Sequence, residues 1–301
     1  MNMNSQQTTT VTLGMNRIRP AAVAGSWYPK EPKILESYID NLLESANANP
    51  KKLSIRALIA PHAGYQYSGA TAADVYRALR GLSYQRVLIL GPAHYCSFHG
   101  LSIDAVDAYD TPLGRIPLDH AIITALRPSK LVHFDSQASR REHSIEMQLP
   151  FLQRVLAPGW KLLPILVGAL HDEDYAKIAE LLIPLISKNT LLIASSDFTH
   201  FGAHFGYQPF PIDATIASRL EILDKGALAP ILAKDADAIL KYKQQTGITV
   251  CGISPINILL RLLPKEVIGS LQTYTTSGKL TGDYSHSVSY MSVLFWDQIS
   301  S

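Results

Sequence analysis

Residues 55–65 read IRALIAPHAGY, and the first six of them decide the fold. Ile55–Ala60 is a mostly apolar run, the pattern of a strand buried on both faces of a parallel sheet, and it stops at Pro61-His62. The same grammar returns twice. RVLIL (86–90) gives way to Gly91-Pro92 and then His94, and TLLIA (190–194) gives way to Ser195-Ser196-Asp197 and then His200. A further apolar strand, KLLPILV (161–167), leads into a helical stretch at 172–186, and the first histidine loop leads into another at 70–79. Apolar strands alternating with amphipathic helices predict an α/β fold, with a central, largely parallel or mixed sheet flanked by helices. In such a sheet the carboxyl ends of parallel strands share one edge, and ligands bind there. Histidines far apart in sequence are therefore expected to converge.

Residues 100–117 read as a β-rich excursion, followed by helices at 118–126 and 143–156, the second kinked or broken at Pro150. Beyond a Pro-rich turn at 209–211, helices are expected at 212–224, 234–245 and 253–263, then two strands, the last at 288–296. Residues 1–16 are polar and rich in Thr, Gln and Asn, the composition of a disordered tail, whereas no linker or repeat divides 17–301, which is expected to form one domain. The tail lacks the charged start and apolar stretch of a secretory signal, and no apolar run approaches the roughly 20 residues that cross a bilayer. The cytoplasm is the expected address. With 27 Lys and Arg against 25 Asp and Glu, spread without a basic block, nothing invites nucleic acid or an anionic membrane. The two cysteines, Cys96 and Cys251, read as free thiols open to packing or chemistry.

Imidazole binds metals and carries protons near neutral pH, so His62, His94 and His200 at three strand ends are the leading candidates. Each alone has an ordinary structural reading, as a strand cap or a carbonyl's partner; their recurrence favours a site. Pro61 and Pro92 stiffen the turns, and Gly64 and Gly91 allow close backbone approach. Cys251, in TVCGISPINILL (249–260), precedes what reads as a helix start, where the helix dipole favours the thiolate. Cys96 has no such neighbour and reads as a packing residue. Two imidazoles and a thiolate suit iron, copper or zinc better than magnesium or calcium. No local zinc signature and no GxSxG elbow occurs. In REHSIEMQ (141–148), Glu142 and Glu146 are expected on one helix face, with His143 on an adjoining one. Two readings stand for this segment: a solvated helix start, or supporting groups, with a carboxylate receiving the free N–H of a ligating histidine or acting as a base near substrate.

Six segments, AGSWYP (24–29), APHAGYQYSG (60–69), LGPAHY (90–95), REHSIEMQLPFL (141–152), SSDFTHFG (195–202) and VCGISPI (250–256), taken in this order resemble the Memo family, known in bacteria and archaea as AmmeMemoRadiSam system protein B. The resemblance implies a fold like that of class III extradiol dioxygenases, which open catechol rings with non-haem iron. It implies metal ligands at His62, His94 and Cys251, and a further pocket histidine at His200 with Asp197 beside it. With Glu142 and His143 from the preceding reading, His200 and Asp197 make the set of catalytic candidates. The implied function is a metal-dependent redox enzyme of unspecified small-molecule substrate, with iron as the first metal and copper or zinc next. The family name also implies association with an Ammecr-type protein and a radical-SAM protein, so a non-catalytic regulatory or metal-homeostasis role is the alternative. A homodimer is compatible with either. Animal members often carry histidine where this chain has Tyr95 and cysteine where it has Thr199, changes that spare the ligands but weaken any transfer of animal-specific binding behaviour.

Overall fold

The computed structural model describes residues 17–47 and 53–298; the tail expected at 1–16 lies outside the described residues. The elements begin with β1 (Ile18–Arg19), α1 (Pro32–Ser45), β2 (Ile55–Ala60), α2 (Tyr65–Tyr76), β3 (Arg86–Pro92), β4 (Leu101–Ile103), β5 (Ala108–Thr111) and β6 (Gly114–Pro117). They continue with α3 (His120–Leu126), β7 (Val132–Phe134), α4 (Ser136–Ser139), α5 (Leu149–Val155), β8 (Lys161–Val167), α6 (Asp172–Leu182), β9 (Thr190–Ser195) and β10 (His200–Gly202). The last are α7 (Ile216–Ala233), α8 (Ala236–Thr246), α9 (Ile253–Leu262), β11 (Val267–Thr276), α10 (Ser277–Thr281) and β12 (His286–Asp297).

Among the described residues the main sheet has nine strands in the order β10-β12-β2-β9-β3-β8-β4-β7, with β11 paired to β12. Its heart is parallel: β2 with β9, β9 with β3, and β3 with β8. Both sides of that heart turn antiparallel, through β12 on β2 and β4 on β8, so the sheet is mixed. A smaller sheet joins β1, β5 and β6. The central strands are apolar because both faces are covered. Val87, Leu88, Ile89 and Leu90 are fully buried, each such side chain contributing about 1.5–3 kcal/mol relative to exposure. Helix α2 packs on β2, β11 and β12 and is backed by α1 and α5, while α9 packs on β3 and β9 and is backed by α6 and α8. Helix α1 buries Leu35, Ile39 and Leu43, one side chain per turn, and Pro32 lies in its first turn, where no N–H is needed. No helix of the described residues is long and apolar enough to cross a membrane.

The structure corrects the expected helix at 143–156. Residues 140–145 are turn and coil, Glu146–Gln148 form a 3-10 turn, and α5 begins only at Leu149. Pro150 lies in the first turn of α5 and so opens a helix where it was expected to break one. Glu142 competes with helix formation locally, because its carboxylate accepts from the amides of His143 and Ser144 at 2.8 and 2.9 Å. Glu142 and Glu146 therefore do not share a helix face. Helix α2 starts five residues before the expected 70, directly behind the first histidine loop, and α7 runs past the expected 224 to Ala233 with Pro230 inside it.

Candidate metal centre

Because β9 lies between β2 and β3 and all three run parallel, the loops carrying His62, Asp197 and His94 leave the sheet side by side. The His62 amide donates to Asp197 Oδ1 at 2.8 Å. Its ring orientation is fixed by Ser195, the last residue of β9. The Ser195 hydroxyl donates to the Ser144 carbonyl at 2.5 Å and accepts from Gln148 Nε2 at 2.8 Å. With its one proton committed, it can only accept from His62 Nδ1, 2.9 Å away, so Nε2 of His62 carries a bare lone pair. His94 is held similarly by a charge. Its Nδ1 donates to Glu142 Oε1 at 2.9 Å and its amide to Oε2 at 2.6 Å, which turns Nε2 away toward the site. Burial alone pushes the Glu142 carboxyl up, but the hydrogen bonds and charge of His94, with the Ser144 amide, outweigh it and hold the group at about 2.

His143 completes a compact set: the ligand atoms of His62, His94 and His143 all lie within 4.8 Å of one another. Its ring stacks on His94 at 4.7 Å and 13°, meets His62 edge-on at 5.4 Å, and touches Trp27 at 4.1 Å. Its Nδ1 is buried with no hydrogen-bond partner, 3.5 Å from Glu142 Oε1. Burial, and then the neighbouring His62, lower its pKa to about 3, so the ring is neutral at pH 7. Burial likewise holds His62 well below the usual imidazole range.

Cys251 Sγ stands 3.3 Å from His62 Nε2 and accepts from the Asp197 amide at 3.3 Å, yet it lies outside the three-imidazole set. Helix α9 does begin just after it, at Ile253. The expected drop in thiol pKa is reversed, because burial, reinforced by the Asp197 charge, pushes the thiol up more than the amides of Asp197 and Gly252 lower it. Cys96 is half-buried against the core, as expected of a packing residue, and its nearest polar partner is the Gln137 carbonyl at 3.8 Å. His200 Nδ1 faces two carbonyls, of Phe198 at 2.9 Å and Thr249 at 3.1 Å; these only accept, so Nδ1 carries a proton. Burial also raises the Asp197 carboxyl.

The three imidazoles, His200 and Asp197 line a cleft of about 440 Å³ whose walls are Trp27, Tyr67, Tyr95 and Phe205. A second cleft, of about 510 Å³, is bordered by Cys251, Cys96, Lys243 and Ser254. His94 and Tyr95 border both.

The loop that carries Glu142 and His143 is fastened from the N-terminal side. The Arg19 guanidinium donates to the Ser139 carbonyl at 3.1 Å, the Glu142 carbonyl at 2.5 Å and Glu146 Oε2 at 2.7 Å. Tyr28 Oη donates to Glu146 Oε1 at 2.7 Å. Two glycines allow the remaining approaches: a Cβ on Gly91 would meet Ser144 Oγ at 2.6 Å, and one on Gly252 would meet Ser196 Cβ at 2.4 Å. The contact expected at Gly91 is thus real, whereas Gly64 has room for a side chain. Sequence reasoning missed Arg19, Ser195 and Gln148. Ser195 sat in a quoted motif but gave no sign of a ring-orienting role, and a single arginine before a proline carries no signal.

An unpartnered buried imidazole nitrogen and two further imidazoles of fixed orientation, with a thiol 3.3 Å from one of them, are donor types that suit a transition-metal ion better than oxygen-seeking magnesium or calcium. The chain is therefore an α/β protein with a histidine-rich candidate metal site at the carboxyl edge of a mixed sheet. Residues 19–294 match the family profile described as Memo-like protein, and the chain belongs to that family. It is 35% identical to the Protein memo-1 homolog of Caenorhabditis elegans, over 92% of this chain and 82% of that one. It is 31% identical to a MEMO1 family protein of Methanopyrus kandleri, over 92% and 98%, and 32% identical to Protein MEMO1 of Xenopus tropicalis, over 90% and 95%.

Proposed function

We propose that the chain is a metal-dependent redox enzyme similar to the non-haem iron dioxygenases, with a mononuclear centre anchored on His62 and His94 and with His143 and Cys251 in reach. The observation that carries this reading is the pair of imidazoles, His62 and His94, whose Nδ1 atoms are engaged by Ser195 and Glu142, leaving Nε2 of each free, and whose side chains border one cleft. Iron is the first metal expected, with copper or zinc next; when bound, iron supplies Lewis acidity and one-electron redox chemistry. The protein's own groups do the rest. Ser195 and Glu142 orient the two rings, Trp27, Tyr67, Tyr95 and Phe205 exclude water and favour a flat apolar substrate, and His200 offers Nε2 as a proton acceptor at the cleft wall. Purified protein loaded anaerobically with Fe(II) is expected to consume oxygen with catechols or related substrates. No metal uptake by the wild type, or uptake unchanged in His62→Ala, rejects the centre.

A second reading, a metal-handling or regulatory protein that works with Ammecr-type and radical-SAM companions, is favoured by the crowding of four donors. Four protein ligands on one ion close a tetrahedral site, whereas catalysis needs an open position. Tight uptake without oxygen consumption is the expected signature of that role.

A further inference from the structure

Three strands of the main sheet have a single neighbour among the described residues: β7, β10 and β11. Strands β7 and β10 are three residues long, and shortness itself keeps an edge from recruiting another chain. Strand β11 has ten residues, and its sequence, VIGSLQTYTT, contains no charge and no proline, the residues that commonly blunt a long edge. A bulge between Leu271 and Thr273 bends the strand but leaves uncharged residues on both sides of it. Both faces of β11 are taken. Thr273 Oγ1 donates to Asp74 on α2, and Tyr274 Oη donates to Asp224 on α7 at 2.8 Å, so neighbouring side chains are anchored on different helices. The strand is held in place with its outer edge open, and adding a strand there costs little further ordering. No charged residue occurs between Glu266 and Lys279, which are opposite in sign, exposed and without an ion pair among the described residues. Ile268, 40% exposed, lies at the Glu266 end, and Leu280, 54% exposed, lies at the Lys279 end.

We propose that β11 pairs antiparallel with β11 of a second copy of this chain about a two-fold axis, so that the main sheet continues across a homodimer. Main-chain hydrogen bonds along the two edges supply the affinity, and the ends supply the direction. Antiparallel pairing sets Glu266 and Ile268 of one protomer near Lys279 and Leu280 of its partner, and the two-fold axis repeats that match. Parallel pairing would set like charge beside like at each end. A strand with a charge in its middle could not pair with its own copy in this way without opposing that charge to itself, and β11 has none. The dimer does not depend on the metal centre, which lies at the carboxyl ends of β2, β3 and β9.

Sedimentation velocity of the full chain across the micromolar range tests this and is expected to show a monomer–dimer equilibrium. Ile268→Lys, which places a charge on a side chain exposed in the monomer, is expected to raise the dimer dissociation constant by about tenfold or more. Glu266→Lys and Lys279→Glu are each expected to raise it about tenfold, because the two-fold axis repeats the pair. The double variant Glu266→Lys/Lys279→Glu is expected to return to within about threefold of wild type, a rescue that a folding defect cannot imitate. A wild type that stays monomeric overturns the proposal and leaves the edge to a strand from another protein. A dimer that tolerates Ile268→Lys overturns it by placing the interface elsewhere. A dimer indifferent to the single reversals, or not restored by the double one, overturns the antiparallel pairing.

Discussion

Glu142 and Glu146 stand four residues apart, both buried, and face opposite ways. Glu142 receives the His94 ring nitrogen and the amides of His94, His143 and Ser144. Glu146 receives Arg19, Tyr28 and the amides of Ala22 and Val23. One carboxylate aims an imidazole; the other fastens the N-terminal segment over the loop. On the helix expected from spacing they would have shared a face and a role. Turn and coil at 140–145 separate them, and that separation lets five residues serve both the site and its support.

The sharpest way to break this comparison is Glu146→Ala. It leaves the Arg19 guanidinium, 4% exposed, without its ion pair, and a loss of about 3–5 kcal/mol in unfolding free energy is expected from denaturant titration. A loss under about 1 kcal/mol, the range of surface pairs, would show that the fastening is not electrostatic. Acid titration of the metal-free protein comes next. The folded Glu142 pKa is depressed from 4.5 to about 2, so its contribution is complete above the unfolded value and disappears as pH falls through the folded one. That difference is worth about 3 kcal/mol, an order-of-magnitude figure, and Glu142→Gln should flatten the acid limb of stability against pH. The smallest effect sharpens the contrast: Glu142→Gln is expected to weaken metal affinity about tenfold to a hundredfold by releasing the His94 ring, whereas Glu146→Gln leaves affinity nearly unchanged. Equal losses would erase the distinction between aiming and fastening.

The sheet was legible because its strands are buried on both faces. Ile55–Ala60 and Lys161–Val167 match their expected limits, since a continuous apolar run with Gly, Pro or Ser beyond it marks its own boundaries. Helix α1 was not anticipated, as its three buried residues lie among polar ones. The convergence of His62 and His94 was legible because the strands before them read as parallel, and parallel strands share a carboxyl edge. His143 was legible only as a member of an unusual cluster, because its placement depends on a loop that spacing rules read as helix. The carboxylate that receives the N–H of His94 was one of two open readings of Glu142, and the geometry selects it. The thiol pKa of Cys251 was read in the wrong direction, because a helix start is a local signal, whereas enclosure beside Asp197 is a tertiary one.

Strand β12 pairs with β2 and so closes one flank of the strand that carries His62. The hydrogen bond from Ser54 to Asp297 joins residues 243 positions apart, and Cys251 meets His62 across 189. During synthesis, then, β2 waits for this neighbour until residues 286–297 have left the ribosome. Contacts of such long range form late, so the space between His62 and Cys251 takes its shape only after residue 251 has been made, and the candidate site cannot be preformed on a shorter nascent segment.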